Sequence, residues 1–324
     1  MRGSLLILLL LLVLKGYGQD SSYIRDLISE GVELNDQGRF DEAIKKYDEA
    51  LAMAPGFLPA QFEKSYTLMA SRKFKDAIGM SRQIIKNKSA DINMIGDAYS
   101  TWGMALDQEG NPKKALKVYK QGSKKAPDYG ILNYSEAVSY FRRKAPEKGM
   151  AELKVALLKS PHYAPSHYLM GRMLLYGNHK TEAVLSYMVY LLFDNKSPRA
   201  AEALTTIRAL MNTDSATLLQ TKELLPGDRF ARQVTQVIET RLSVTGGTYP
   251  DFWQQFYLPF FRSLQEHNYC ERFAHQLFLP SENVMNEAWL QDHQQQLGEL
   301  LIWFASYPWP NTGSINAQVS HSRF

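Results

Sequence analysis

One period constrains this chain more than any other feature. The stretch Gly38-Arg-Phe40-Asp-Glu-Ala43-Ile-Lys-Lys-Tyr47-Asp-Glu-Ala50-Leu-Ala-Met-Ala-Pro55 reads as a glycine break, a helix and a proline stop. Its landmarks return: Ala77 follows Ala43 by 34 residues, and Pro161 follows Pro127 by 34. A spacing of that length marks stacked helical hairpins, each too small to bury its apolar face alone. Ahead of the stretch, Leu27, Gly31 and Leu34 mark a first helix. Ala43, Tyr47 and Ala50 lie on one face of the second. A small residue at Gly31 lets the two backbones approach, and the Tyr47 ring fills the gap between successive pairs. Proline cannot continue a helix, so Pro55 sets the turn to the next hairpin.

Measured against this ruler, the third unit fits best, with Tyr99, Trp102-Gly103, Leu106, Gly110, Ala115, Tyr119 and Pro127 in place. The fifth keeps Met170-Gly171, Leu174, Ala183 and Tyr187, with Asn195 where a proline closes the others. The fourth keeps Ala137, Tyr140, Pro146, Gly149, Leu153, Ala156 and Pro161. The second is weakest: Leu68, Phe74 and Ala77 remain, but Ser65, Ser81 and Ser89 stand at three landmark positions. About four residues are inserted after it, which predicts a long turn over Asn87 to Asn93.

In these offsets the chain resembles the tetratricopeptide repeat family from about Ile24 to Asn195. The resemblance implies an all-α fold: a right-handed superhelical stack of about five helical hairpins. A sixth hairpin is read from Pro198 through Ala201, Leu204, Ile207 and Leu210, with a partner near Leu218 to Leu225 that caps the stack. The expected organisation is a leader over 1–18, the repeat array over 19–213, an aromatic-rich helical capping region over 214–310 and a mobile tail over 311–324.

The composition changes after Thr245-Gly246-Gly247-Thr248, which reads as a linker. Phe252, Trp253, Phe256, Tyr257, Phe260 and Phe261 then recur at helical spacing, with Pro259 predicting a break. Such a stripe is either core or a docking face. Leu297 to Tyr307 is too short an apolar run to decide between helix and buried strand.

The leader has Arg2, an apolar run from Leu5 to Leu14, then Lys15-Gly16-Tyr17-Gly18, the pattern of a secretory signal cleaved before Gln19. An uncleaved anchor is the alternative, although the run is short for a span. The expectation is an exported protein, periplasmic or secreted, with no membrane span once the leader is removed. Net charge is +4, and residues 196–324 carry ten Lys/Arg against twelve Asp/Glu. That is not the basic stripe of a nucleic-acid binder.

No phosphate loop, zinc helix, calcium loop or serine elbow is present in the sequence, so no catalytic residue, metal or cofactor is assigned. Cys270, with His267 and His275 nearby, is the one handle for an alternative reading as an enzyme or enzyme subunit. The tripeptides at Asn87, Asn133 and Asn195 match glycosylation acceptors.

The family resemblance implies a concave surface built from the first helix of each hairpin, with positions 2, 5, 9 and 12 pointing into it. Those positions fall on Arg25, Ile28, Val32 and Asn35, then on Pro59, Phe62, Tyr66 and Met69. In the third unit they are Asp97, Ser100, Met104 and Asp107, and in the fourth Ile131, Tyr134, Val138 and Phe141. In the fifth they are Pro165, Tyr168, Arg172 and Leu175. Phe62, Tyr66, Met104, Tyr134, Phe141, Tyr168 and Arg172 are the candidate partner-binding residues. The set is apolar and aromatic with few charges, and it lacks the family's carboxylate clamp. It implies a scaffold or adaptor holding a protein or peptide partner non-covalently, unless the C-terminal third folds back over the groove.

Overall fold

A computed structural model describes residues 22–213, 226–243, 251–278 and 286–311. The leader, the linker around Gly246, the stretch Leu218 to Leu225 and the tail beyond Asn311 lie outside the described residues. Every described element is helical. Two compact units result, 1–143 and 144–324. The first contains α1 (22–36), α2 (Phe40–Met53), α3 (Leu58–Ala70), α4 (Phe74–Lys86), α5 (Ile92–Gln108), α6 (Pro112–Lys125) and α7 (Gly130–Arg142). The second contains α8 (Pro146–Lys159), α9 (Ala164–Tyr176), α10 (Lys180–Phe193), α11 (Pro198–Thr213) and α12 (Pro226–Ser243). It continues with α13 (Asp251–Phe256), α14 (Leu258–Glu266), α15 (Cys270–Phe278) and α16 (Asn286–Ser306).

The hairpins follow from the landmark residues. A side chain at Gly103 would place its Cβ 2.1 Å from the Tyr119 ring, and one at Gly31 would come 2.4 Å from Tyr47. Only hydrogen fits there, so Tyr47 and Tyr119 lie flat on the backbone of the first helices of their hairpins. Ala43, Ala77, Ala115 and Ala183 have no exposed surface for the same reason. Pro59, Pro112, Pro146 and Pro165 occupy first-turn positions, where a missing N–H costs nothing.

The turn within a hairpin has one recurring geometry. Gly38, Arg72, Gly110, Lys144 and Asn178 all have φ between 57° and 88°. After Gly38, Arg72, Gly110 and Asn178, the next residue donates its N–H back to a leucine carbonyl: Arg39 to Leu34, Lys73 to Leu68, Asn111 to Leu106, His179 to Leu174. The same turn reappears where the sequence ruler gave no warning. Asn268 has φ 56°, and Tyr269 N–H donates to the Leu264 carbonyl at 2.9 Å. Thus α14 and α15 form one more hairpin of this type, with Phe273 in the place of the usual alanine.

The insertion after the second unit is spent differently from the expected long turn. Only Asn87 to Asp91 is non-helical, and α5 is 17 residues long against 13 for α3. The added turn of helix begins at Asp91, whose carboxylate accepts from the N–H groups of Asn93 and Met94.

The aromatic stripe is core. Phe252, Trp253, Phe256, Tyr257, Phe260 and Phe261 are each 0–1% exposed. Tyr257 separates α13 from α14, with Pro259 in the first turn of α14, and Leu297 to Ser306 is helical. This core is fastened to the second helices α8 and α10. Lys154 lies over the Phe252 ring, Trp253 Nε1 donates to Ser186 Oγ at 3.2 Å, and Phe193 meets Phe304 at 4.7 Å between centroids. Helix α10 is therefore buried at every position from Glu182 to Leu191.

Candidate functional site

The candidate surface in unit 1–143 is the layer formed by α1, α3, α5 and α7. Helix α3 packs on α5, and α5 packs on α7. Hydrogen bonds tie neighbours together: Thr67 Oγ1 to Asn35 Oδ1 at 2.9 Å, Gln108 Nε2 to Met69 Sδ at 3.3 Å, and Ser100 Oγ with Ser135 Oγ at 2.8 Å. These contacts hold the first helices side by side without using the aromatic positions.

The residues singled out from the sequence separate into two groups. Tyr66 is 43% exposed on α3, and Tyr134 and Phe141 are half-buried on α7. Phe62 is half-buried because it packs on Leu58, Ile84 and Ala98, and Met104 because it packs on Leu68, Met69, Ala77 and Ala105. These two serve the hairpins as well as the surface.

In unit 144–324 the pattern changes. Arg172 is exposed, but Tyr168 is buried. Its ring lies 5.6 Å from Tyr187 and 5.2 Å from Tyr190, and the Arg199 guanidinium stands over it at 5.9 Å. The expectation that Tyr168 lines an open groove is corrected: the facing tyrosines of α10 and the first turn of α11 close on it. The C-terminal core is not what covers it, since that core reaches α8, α10 and the start of α9, where Tyr257 OH meets His167 Nδ1 at 2.8 Å.

The reading of few charges also needs amending. Helix α3 places Glu63 next to Phe62, and α5 contributes Asp97 and Asp107. Asp97 accepts a hydrogen bond from Tyr129 OH. The Asp107 side chain is 5% exposed, with Arg142 Nη1 3.9 Å away. Burial pushes all three carboxyls above their ordinary range. For Glu63 the like charges of Asp36 and Asp97 push the same way. Glu63 escaped the four positions per repeat carried from the family.

The other sequence candidates lose their handles. Cys270 is buried, and burial pushes its thiol up to about 11, the reverse of an activated nucleophile. Among the described residues no group of three His, Cys, Asp or Glu is placed to hold a metal ion. Asn133 is buried within α7, where no glycan fits.

The paired layers, the recurring turn and the glycine–tyrosine contacts define an α-helical hairpin-repeat protein. The tetratricopeptide repeat family matches over residues 29–91 and 100–164. Curated relatives include anaphase-promoting complex subunit 7 of Mus musculus, 24% identical over 185 residues, and of Homo sapiens, 25% over 187. Each alignment covers 57% of this chain and 32% of the relative, so the chain spans about a third of their length. A solved tetratricopeptide repeat protein of Thermus thermophilus is 18% identical with a TM-score of 0.47, covering 57% of this chain and 99% of that one. Among the described residues no helix is long and apolar enough to cross a membrane.

Proposed function

We propose that this chain is a non-catalytic adaptor that holds a peptide or protein partner in the groove formed by α1, α3, α5 and α7. The observation that carries the reading is where the aromatic residues lie. Tyr47 and Tyr119, which fasten the hairpins, are 0–1% exposed, whereas Tyr66 stands 43% exposed on the first-helix layer. Half-buried Tyr134 and Phe141 share that layer. Large aromatics held open on a rigid face are the anchors that binding interfaces use. The relatives that share these repeats are, by name, subunits of an assembly, which supports the same reading.

The test is peptide display on the full chain. Sequences selected on the wild type should lose about tenfold or more in affinity with Tyr66→Asp or Phe141→Asp, at unchanged helical signal and melting temperature. Selected peptides that bind both variants as tightly as the wild type would sink the groove reading.

Export is part of the proposal. The apolar leader over 1–18 supports a periplasmic or secreted location. Mass spectrometry of the protein recovered from its native host should find an N-terminus at Gln19. A chain that retains the leader would point instead to a membrane-anchored assembly factor.

A further inference from the structure

We propose that the occupant of the 22–142 groove is a basic segment, presenting lysine or arginine side chains between apolar ones; this rests on the groove reading above. Net charge hides a strong polarity between the two helix layers of unit 1–143. The first helices α1, α3, α5 and α7 carry three Lys/Arg against eight Asp/Glu. The second helices α2, α4 and α6 carry eleven Lys/Arg against five Asp/Glu. One layer is thus about −5 and the other about +6, from the same hairpins. The groove sits on the acidic layer.

The geometry sharpens this. Tyr129 OH fixes one oxygen of Asp97, and the two charges acting on Glu63 are the carboxylates of Asp36 and Asp97. Carboxylates from the two flanking first helices thus bear on Glu63, which is partly desolvated and which Asp36 and Asp97 both repel. An incoming cation relieves that repulsion and forms charge-assisted hydrogen bonds, which are stronger than neutral ones. Tyr66 and Phe62 flank Glu63 on α3, so the same cation can also rest on an aromatic face while apolar side chains of the segment take the remaining surface. An acidic segment would meet the opposite: partly desolvated like charges, which exclude it.

The probe is a fluorescein-labelled peptide of twelve residues alternating arginine and phenylalanine, titrated against the full chain at low salt. Its glutamate and serine counterparts are run beside it. The arginine peptide should bind about tenfold or more tighter than either, and weaken as salt is raised. Glu63→Gln with Asp97→Asn should cost about tenfold while leaving melting unchanged or raised, since burial already disfavours both charges. Glu63→Lys should turn the preference toward the glutamate peptide, a reversal that lost packing cannot produce. If the serine peptide binds as tightly as the arginine one and Tyr66→Ala weakens both, the groove stands and the basic occupant is refuted. If Tyr66→Ala changes the binding of none of the three, the groove fails and this inference with it. A salt-labile dimer that the Glu63→Gln, Asp97→Asn variant dissolves would make a second copy the occupant, its lysine-rich α6 the natural donor, and would overturn the assignment to a separate partner.

Discussion

Arg241 Nε donates to Glu182 Oε1 at 3.1 Å across fifty-nine residues of chain, with both side chains 3% exposed. The same guanidinium lies 4.9 Å from the centre of the Trp253 ring. One ion pair thereby fastens the second helix of the fifth hairpin to α12 and to the aromatic core.

Breaking that pair from one side leaves a charge stranded in apolar surroundings. Arg241→Ala should cost about 3–5 kcal/mol, whereas Glu182→Leu with Arg241→Met should come close to wild type. Urea melts of the two singles and the double test this. Equal losses in all three would mean the contact is packing and not charge.

The close approach of Gly103 to Tyr119 makes a paired prediction. Gly103→Ala forces its methyl into the ring and should destabilise by about 1–3 kcal/mol. Gly79, on α4, has nothing within 4 Å of where its Cβ would lie. Gly79→Ala should therefore stabilise by about 0.5–1 kcal/mol, the ordinary gain of alanine over glycine in a helix. Thermal denaturation of both variants reads the contrast.

His167 sets an acid response in the second unit. Burial lowers its pKa from 6.5 to about 4, outweighing its bond to the Pro161 carbonyl. The unfolded chain then binds the proton more readily between those values, so stability is full above about 6.5 and falls as pH drops toward 4. The loss is about 3 kcal/mol in order of magnitude. Glu63, Asp97 and Asp107 act in the opposite sense: with folded pKa values raised, their contribution is full below the unfolded range and is lost as pH rises through the folded one. Melting followed from pH 7 to 4 should fall in the wild type and flatten in His167→Gln.

Cys270 should resist modification. With its thiol raised to about 11 from 9.0, a thiol reagent at pH 8 should react about 100-fold more slowly with the folded chain than with the urea-unfolded one. Rapid labelling of the native protein would reopen the enzymatic alternative.

The repeat ruler needed only local facts. Glycine opposite tyrosine, alanine at the crossing and proline at the stop are recognisable because each is fixed by contact within one hairpin or with the next. The first helix of each hairpin was legible for the same reason. Tyr168 was misjudged because its burial depends on Tyr190 and Arg199, whose approach no offset within its own helix records. Glu63 was missed because its significance lies in Asp36 and Asp97 on the neighbouring helices.

The sequence by itself determined the hairpins and their number up to Asn195, since period and side-chain volume act over a few turns of chain. Only the tertiary structure decided that α14 and α15 repeat the hairpin turn, that the aromatic third packs on α8 and α10, and that Asp36 and Asp97 act on Glu63 across the first-helix layer. Those outcomes depend on side chains brought together from separate helices, where burial and charge add across space and not along the chain.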